Sequence, residues 1–144
     1  MSERWKCSVT LLATGLWIWF IFARSAKTAN ESIAESAAFS AFLIRLFPWL
    51  THHAIRKLAH FSEYFILGGF LFADWRMLRS GLVLLPFGFG AAVACVDEFL
   101  IQRNTSGRSG ELRDVLLDSV GVAVAVGICL LLFKRKGRAS VGRH

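Results

Sequence analysis

Four apolar segments, each close to the length that crosses a lipid bilayer, limit what this chain can fold into. They cover about residues 7–23, 58–73, 81–101 and 115–133. About 20 apolar residues in a helix span the hydrocarbon core, and a helix satisfies its own backbone polar groups there. With 55% apolar residues in a chain of 144, a water-soluble fold of this size is excluded. The sequence therefore predicts an all-α membrane protein, a bundle of four transmembrane helices in a single domain over residues 1–144.

A further helix is predicted between the first and second spans. Apolar side chains recur at helical spacing within residues 31–47, which is too short to cross a bilayer, and Pro48 ends the pattern. One interpretation is an amphipathic helix lying in the membrane interface, as a lid over a site. The other is a helix that packs against the bundle. The sequence pattern is compatible with both interpretations.

Basic residues lie at the ends of the predicted spans and in the tail over residues 134–144. A net charge of +7 would suggest nucleic acid in a soluble protein. Here anionic lipid head groups and the positive-inside rule explain the same charge, so nucleic-acid binding is excluded. The dense basic tail favours a cytoplasmic N-terminus and C-terminus. The first segment is interpreted as a retained signal anchor rather than a cleaved signal peptide, because its tryptophans suit membrane interfaces.

Costly polar residues gather at one end of three predicted spans. In a four-span chain, the start of the second span, the end of the third and the start of the fourth lie on the same side. An acid at a helix centre costs ~2.5–3.5 kcal/mol on insertion scales, so it normally has a partner or a function. The opposite ends of these spans carry only polar residues of the kind that usually end a membrane helix, such as Asp74. The predicted polar cluster consists of Lys57, His60, Glu63, Tyr64, Asp97, Glu98, Gln102, Arg108, Asp114 and Asp118.

Two interpretations of the polar cluster remain open. In the first, Lys57 or Arg108 pairs with the acids and fixes helix register without any chemistry. In the second, the cluster is a binding or catalytic site, with His60 and Glu98 as candidate acid and base and Arg108 as an anion clamp. His60 with carboxylates could hold a hard cation or zinc. However, His52 and His53 lie outside the cluster and no compact ligand motif is present, so no metal or other cofactor is expected.

Small residues mark the faces on which the helices are expected to approach. Gly68 and Gly69 would permit close contact on the second span. Asp114, Asp118 and Gly121 share one face of the fourth span. Acids at the head of a small-residue stripe indicate that this face packs on protein and not on lipid.

Two motifs in the polar cluster resemble the VanZ-like family of small polytopic membrane proteins. The first runs over residues 56–68 and reads RKLAHFSEYFILG, with Lys57, His60 and Tyr64 in the family's Lys-x-x-His-x-x-x-Tyr pattern. The second, over residues 97–121, carries an Asp-Glu-x-x-x-Gln pattern, a Gly-Arg pair and an Asp that opens the last span. The resemblance covers about residues 56–127. Asp118 stands where the family usually has Asn, and Ala125 replaces a glycine of the family's Gly-x-x-x-Gly.

The resemblance implies a bacterial inner-membrane protein of the cell envelope. The family takes its name from a protein associated with low-level resistance to the glycopeptide antibiotic teicoplanin. The leading expectation is a non-enzymatic factor that binds or positions a lipid, a lipid-linked precursor or an amphiphilic antibiotic. One alternative is a membrane-embedded hydrolase or transferase that acts on a lipid-linked substrate through His60 and Glu98. Another is a small proton-coupled transporter that works as a homo-oligomer.

Overall fold

The chain folds into helices joined by short connections. The computed structural model describes residues 3–78, 81–107 and 110–141, and within these ranges it contains helices and no strand. The all-α class predicted from the sequence is confirmed. The helices are α1 (Glu3–Ser25), α2 (Ala29–Leu46), α3 (His52–Met77), α4 (Leu85–Val96) and α5 (Leu112–Val141), and α4 continues into a π-helical turn (Asp97–Ile101) and a 3₁₀ turn (Gln102–Asn104).

Three helical stretches in the described chain are long and apolar enough to cross a membrane. They are Arg4–Ser25, Leu85–Asn104 and Leu112–Lys134, and they identify the chain as a membrane protein. The 26 residues of α3 would reach ~39 Å at 1.5 Å per residue. Its apolar stretch is interrupted by charged and polar side chains, and α3 is not among the three candidates. The fourth span therefore stays a prediction.

Helix α3 is the central element of the bundle. It packs along α5 and also contacts α1 and α4. Buried apolar residues from four helices form one core, which contains Ile21, Tyr64, Leu67, Leu71, Val93, Ala94, Val115, Val122 and Val126. Large apolar side chains such as Trp19, Leu116 and Leu131 are exposed on the outer faces, as expected of helices that meet lipid instead of water.

Helix α4 differs from the predicted third span at both ends. The span was expected to start near residue 81 and to end near residue 101. Instead α4 begins at Leu85, and Pro86 occupies the first turn, where its missing N–H costs no hydrogen bond. The irregularity lies at the other end, in the π-helical turn that begins with Asp97 and Glu98. Such turns often occur at functional sites.

Helix α2 exposes its apolar side chains. It runs over Ala29–Leu46 and begins with a capping box between Thr28 and Glu31, which satisfies backbone N–H groups of the first turn. Phe39, Phe42 and Leu46 are more than half exposed. This exposure favours the interfacial interpretation of α2 over packing against the bundle, because apolar side chains on this face need another apolar environment.

Candidate functional site

The acids of the π-helical turn are completely buried, with Asp97 and Glu98 both 0% exposed. Both oxygens of the Glu98 carboxylate accept hydrogen bonds: Oε2 from Gln102 Nε2 at 2.6 Å and Oε1 from the backbone N–H of Glu111 at 2.9 Å. Glu98 therefore ties the end of α4 to the segment just before α5.

Asp97 is held by side chains from two elements. Its Oδ2 accepts hydrogen bonds from Ser25 Oγ at 3.0 Å and from Gln102 Nε2 at 3.2 Å. Ser25 ends α1 and is 1% exposed. Sequence reasoning did not include Ser25 in the polar cluster. The only available signal was a small hydroxyl residue at the end of an apolar run, on the side of the membrane where the acids lie.

Three side chains from three elements meet next to these acids. His60 of α3, Asp97 of the π-helical turn and Asp118 of α5 each place a nitrogen or carboxylate oxygen within 4.8 Å of the others. The buried ring of Tyr64 lies close to Asp97 and Asp118. His60 therefore meets Asp97 and Asp118, whereas the acid–base hypothesis had joined it to Glu98.

Two further members of the predicted cluster form ion pairs. Lys57 Nζ donates to Asp114 Oδ1, which joins α3 to the start of α5. Glu63 points to the other side of α3, where its Oε1 lies 2.9 Å from Arg24 Nε of α1. These pairs agree with the structural interpretation for Lys57, Asp114 and Glu63, because opposite charges partly offset the cost of placing ions near hydrocarbon.

A cavity of about 80 Å³ opens at this end of the bundle. His53 and Arg56 are exposed, while Gln102 and Asp118 are buried, so the cavity leads from basic side chains at its opening to polar groups inside. The sequence interpretation placed His53 outside the cluster. In the structure His53 lines the same cavity as His60, because the two residues are two helical turns apart on one face of α3. The cavity is lined by His53, Arg56, Lys57, His60, Gln102, Gly107, Glu111, Asp114, Leu117 and Asp118.

Arg108, the predicted anion clamp, lies outside the described residues. Its neighbour Gly107 lines the cavity, and the backbone carbonyl of Ser106 accepts a hydrogen bond from Ala29 N at 3.3 Å. The connection before α5 therefore contacts the first residue of α2. The role of Arg108 stays a prediction.

The opposite end of α3 contains a polar contact that sequence reasoning missed. Asp74 was interpreted as an ordinary polar residue at the end of a span, but it is only 6% exposed. Its Oδ2 accepts a hydrogen bond from Thr14 Oγ1 at 2.5 Å. The two residues come from antiparallel helices and lie on an apolar cavity of about 360 Å³ between α1, α3 and α4. The sequence did not reveal this contact because Thr14 lies in the middle of an apolar run.

Comparison with known protein families gives a match. A model of the VanZ/LLP1 family matches residues 10–133, which include every predicted site residue and most of the chain. No curated protein and no solved structure matches this chain. The family match extends the resemblance seen in the two motifs to the α1 and α2 segments. With this match over most of its length, the chain belongs to the VanZ/LLP1 family.

Proposed function

We propose that this protein is a non-enzymatic cell-envelope factor that binds the polar head of a lipid, a lipid-linked precursor or an amphiphilic antibiotic. The observation that carries this proposal is the cavity at one end of the bundle. Basic side chains lie at its opening, and the outer faces of the surrounding helices expose large apolar side chains. An amphiphile has the same arrangement of a polar head and apolar tails.

The basic side chains suit an anionic head group. Arg56 is exposed, and its guanidinium can bind phosphate or carboxylate oxygens through two parallel hydrogen bonds. His53 lies on the same cavity. Lys57 is already paired with Asp114, so Arg56 is the described cation best placed to bind a ligand. A cavity of about 80 Å³ has room for a few water molecules, which fits one phosphate group and not a whole amphiphile.

The apolar tails would then lie outside the cavity. The exposed face of α2 supports this arrangement, since the start of α2 contacts the connection that borders the cavity. An interfacial α2 would bring Phe39 and Phe42 to the depth of the upper acyl chains. The hydrolase or transferase alternative has less support, because both oxygens of Glu98 accept hydrogen bonds from the protein.

Lipid titration of the purified protein tests this proposal. In nanodiscs of phosphatidylcholine, the protein is expected to bind a polyprenyl phosphate at least tenfold more tightly than the matching polyprenol. Arg56→Ala should weaken binding of the phosphate about tenfold, since one charge-assisted hydrogen bond contributes about 1.5–3 kcal/mol. Binding is measured by native mass spectrometry, with teicoplanin as a second ligand.

Arg45→Ala is the matched control, because Arg45 is an exposed arginine in the last turn of α2 and does not line the cavity. It should leave the affinity unchanged. Equal affinity for phosphate and alcohol, or equal losses in both arginine variants, would contradict the proposal. In cells, a link to glycopeptide resistance predicts a change in teicoplanin susceptibility with Arg56→Ala but not with Arg45→Ala.

The same proposal places the cavity on the outer side of the bacterial inner membrane. The basic tail favours cytoplasmic termini, and an N-terminus inside the cell places the end of α1 and the connection before α5 outside it. A reporter enzyme inserted at residue 106 is expected to show periplasmic alkaline phosphatase activity. A fully expressed fusion without alkaline phosphatase activity would reverse the orientation and place the ligand in the cytoplasmic leaflet, because the disulfides of this reporter form only outside the cytoplasm.

A further inference from the structure

The meeting point of His60, Asp97 and Asp118 has the chemistry of a metal site. The three residues come from α3, the π-helical turn and α5, and each offers one ligand atom within 4.8 Å of the other two. Two ligands of a tetrahedral zinc ion, each at 2.0–2.2 Å, lie about 3.3–3.6 Å apart. Binding of one ion by all three residues would therefore draw their ligand atoms together by up to about 1.5 Å, which side-chain rotation can provide.

Asp118 provides the second observation. It is 0% exposed, and both of its carboxylate oxygens are buried without a hydrogen-bond partner in residues 3–78, 81–107 and 110–141. A buried ionised carboxylate is costly unless a hydrogen bond, a cation or a metal stabilises it. Lys57 donates to Asp114 and Arg24 pairs with Glu63, so these two cations are engaged with other acids.

We infer that His60, Asp97 and Asp118 bind one divalent transition-metal ion, with Zn²⁺ as the first candidate. Imidazole nitrogen and carboxylate oxygen together suit zinc better than the all-oxygen ligand sets preferred by Mg²⁺ and Ca²⁺. Two carboxylates, a neutral imidazole and a divalent cation have no net charge, which lowers the cost of burying all of them. The inference departs from the sequence-based expectation of no metal, because the ligands lie far apart along the chain and form no motif.

The surroundings of Asp97 support the assignment. Ser25 and Gln102 both donate to its Oδ2, and hydrogen bonds of this kind orient ligating carboxylates in metal sites. His60 and Asp118 also line the polar cavity. Zinc with three protein ligands keeps a fourth position for water or a ligand atom. That position would be reached from the cavity.

Metal analysis of the purified protein tests this inference. After removal of metals with EDTA, the wild-type protein is expected to bind one Zn²⁺ per chain, measured by elemental mass spectrometry after equilibrium dialysis. A hundredfold excess of Zn²⁺ over Kd should raise Tm by roughly 5 °C or more. Co²⁺ should bind with the visible absorption bands of a nitrogen- and oxygen-ligated ion.

Single substitutions then assign the ligands. Asp118→Asn and His60→Ala should abolish stoichiometric binding, and Ser25→Ala should lower the affinity by roughly tenfold. Asp74→Asn is the matched control, since it makes the same change at a buried acid at the opposite end of α3, where Thr14 donates to the carboxylate. This control variant should bind one Zn²⁺ per chain, as the wild-type protein does. Folding of Asp118→Asn is expected, because asparagine has nearly the same volume and removes a buried charge whose oxygens accept no hydrogen bond within the described residues.

Two results would overturn the inference. One is a wild-type protein that takes up no stoichiometric Zn²⁺, Mn²⁺ or Fe²⁺ and shows no metal-dependent Tm. The other is full metal binding by Asp118→Asn. The measurement needs no lipid ligand and no variant of Arg56, so its failure leaves the head-group proposal standing. Likewise, a protein that binds zinc but does not distinguish phosphate from alcohol would lose only the head-group proposal.

Discussion

Gly121→Ala is expected to lower the unfolding free energy by ~2–3 kcal/mol, because a methyl group does not fit between α5 and α3. A Cβ atom at this position would lie 2.8 Å from the backbone oxygen of Phe61 and 3.2 Å from the backbone nitrogen of Phe65. Backbone atoms cannot rotate out of the way, so the two helices must separate. The same contact continues at Gly68, whose Cβ would lie 2.8 Å from the backbone oxygen of Val122.

The chain contains a matched control for each glycine. Gly127 on α5 and Gly69 on α3 have nothing within 4 Å of an added Cβ. Gly127→Ala and Gly69→Ala should leave stability unchanged or raise it, since alanine favours a helix by up to about 1 kcal/mol over glycine. Equilibrium unfolding in mixed detergent micelles measures the difference. Equal effects of Gly121→Ala and Gly127→Ala would show that α3 and α5 do not pack at this distance.

Separation of these helices should also weaken the proposed metal site. Asp118 lies one helical turn from Gly121, and Tyr64 Cβ would be 3.4 Å from the added atom. His60 on α3 and Asp118 on α5 would move apart together with their helices. Gly121→Ala should therefore lower metal affinity although it touches none of the three ligands.

Glu98→Ala is expected to destabilise the protein by ~2–3 kcal/mol and to loosen the connection before α5. The substitution leaves the Glu111 backbone N–H without its carboxylate acceptor and removes one acceptor of the Gln102 amide. An unsatisfied buried donor costs about 1–3 kcal/mol, and hydrogen bonds to charged groups lie at the upper end of the measured range. Glu98→Gln should cost less, because its amide oxygen can still accept one hydrogen bond.

Limited proteolysis measures the loosening directly. Trypsin should cleave after the exposed Arg103 several times faster in Glu98→Ala than in the wild-type protein. Glu35→Ala is the control, because Glu35 is an exposed acid whose pair with Lys27 contributes at most about 1 kcal/mol. If Glu98→Ala leaves both the cleavage rate and the unfolding free energy unchanged, Glu98 does not hold this connection in place.

Much of the helical architecture could be predicted because it follows from local properties of the chain. Helices α1 and α2 match their predicted segments within a few residues, and α3 and α5 contain theirs but run up to eight residues further. These agreements arise because apolar runs and helical periodicity are visible without tertiary contacts. His60, Gln102, Asp114 and Asp118 were grouped because alternate helix ends lie on the same side of a membrane. The structure places all four on one cavity.

The partners of these residues could not be predicted in the same way. Ser25 donates to Asp97 across 72 positions of the chain, and Thr14 donates to Asp74 across 60. Neither contact leaves a local pattern. The π-helical turn was equally invisible, because its residues would also fit a regular helix, and His53 was excluded although the helical period alone places it near His60.

The amino-acid order was sufficient to establish an all-helical membrane protein with acids that need partners, because hydrophobicity and the cost of burying charge act on each segment separately. Tertiary structure alone decided that Asp97 and Asp118 meet His60 while Glu98 holds the connection before α5. That choice depends on the rotation and separation of α3, α4 and α5. Those quantities are determined by close contacts such as Gly121 against Phe61, which no single segment contains.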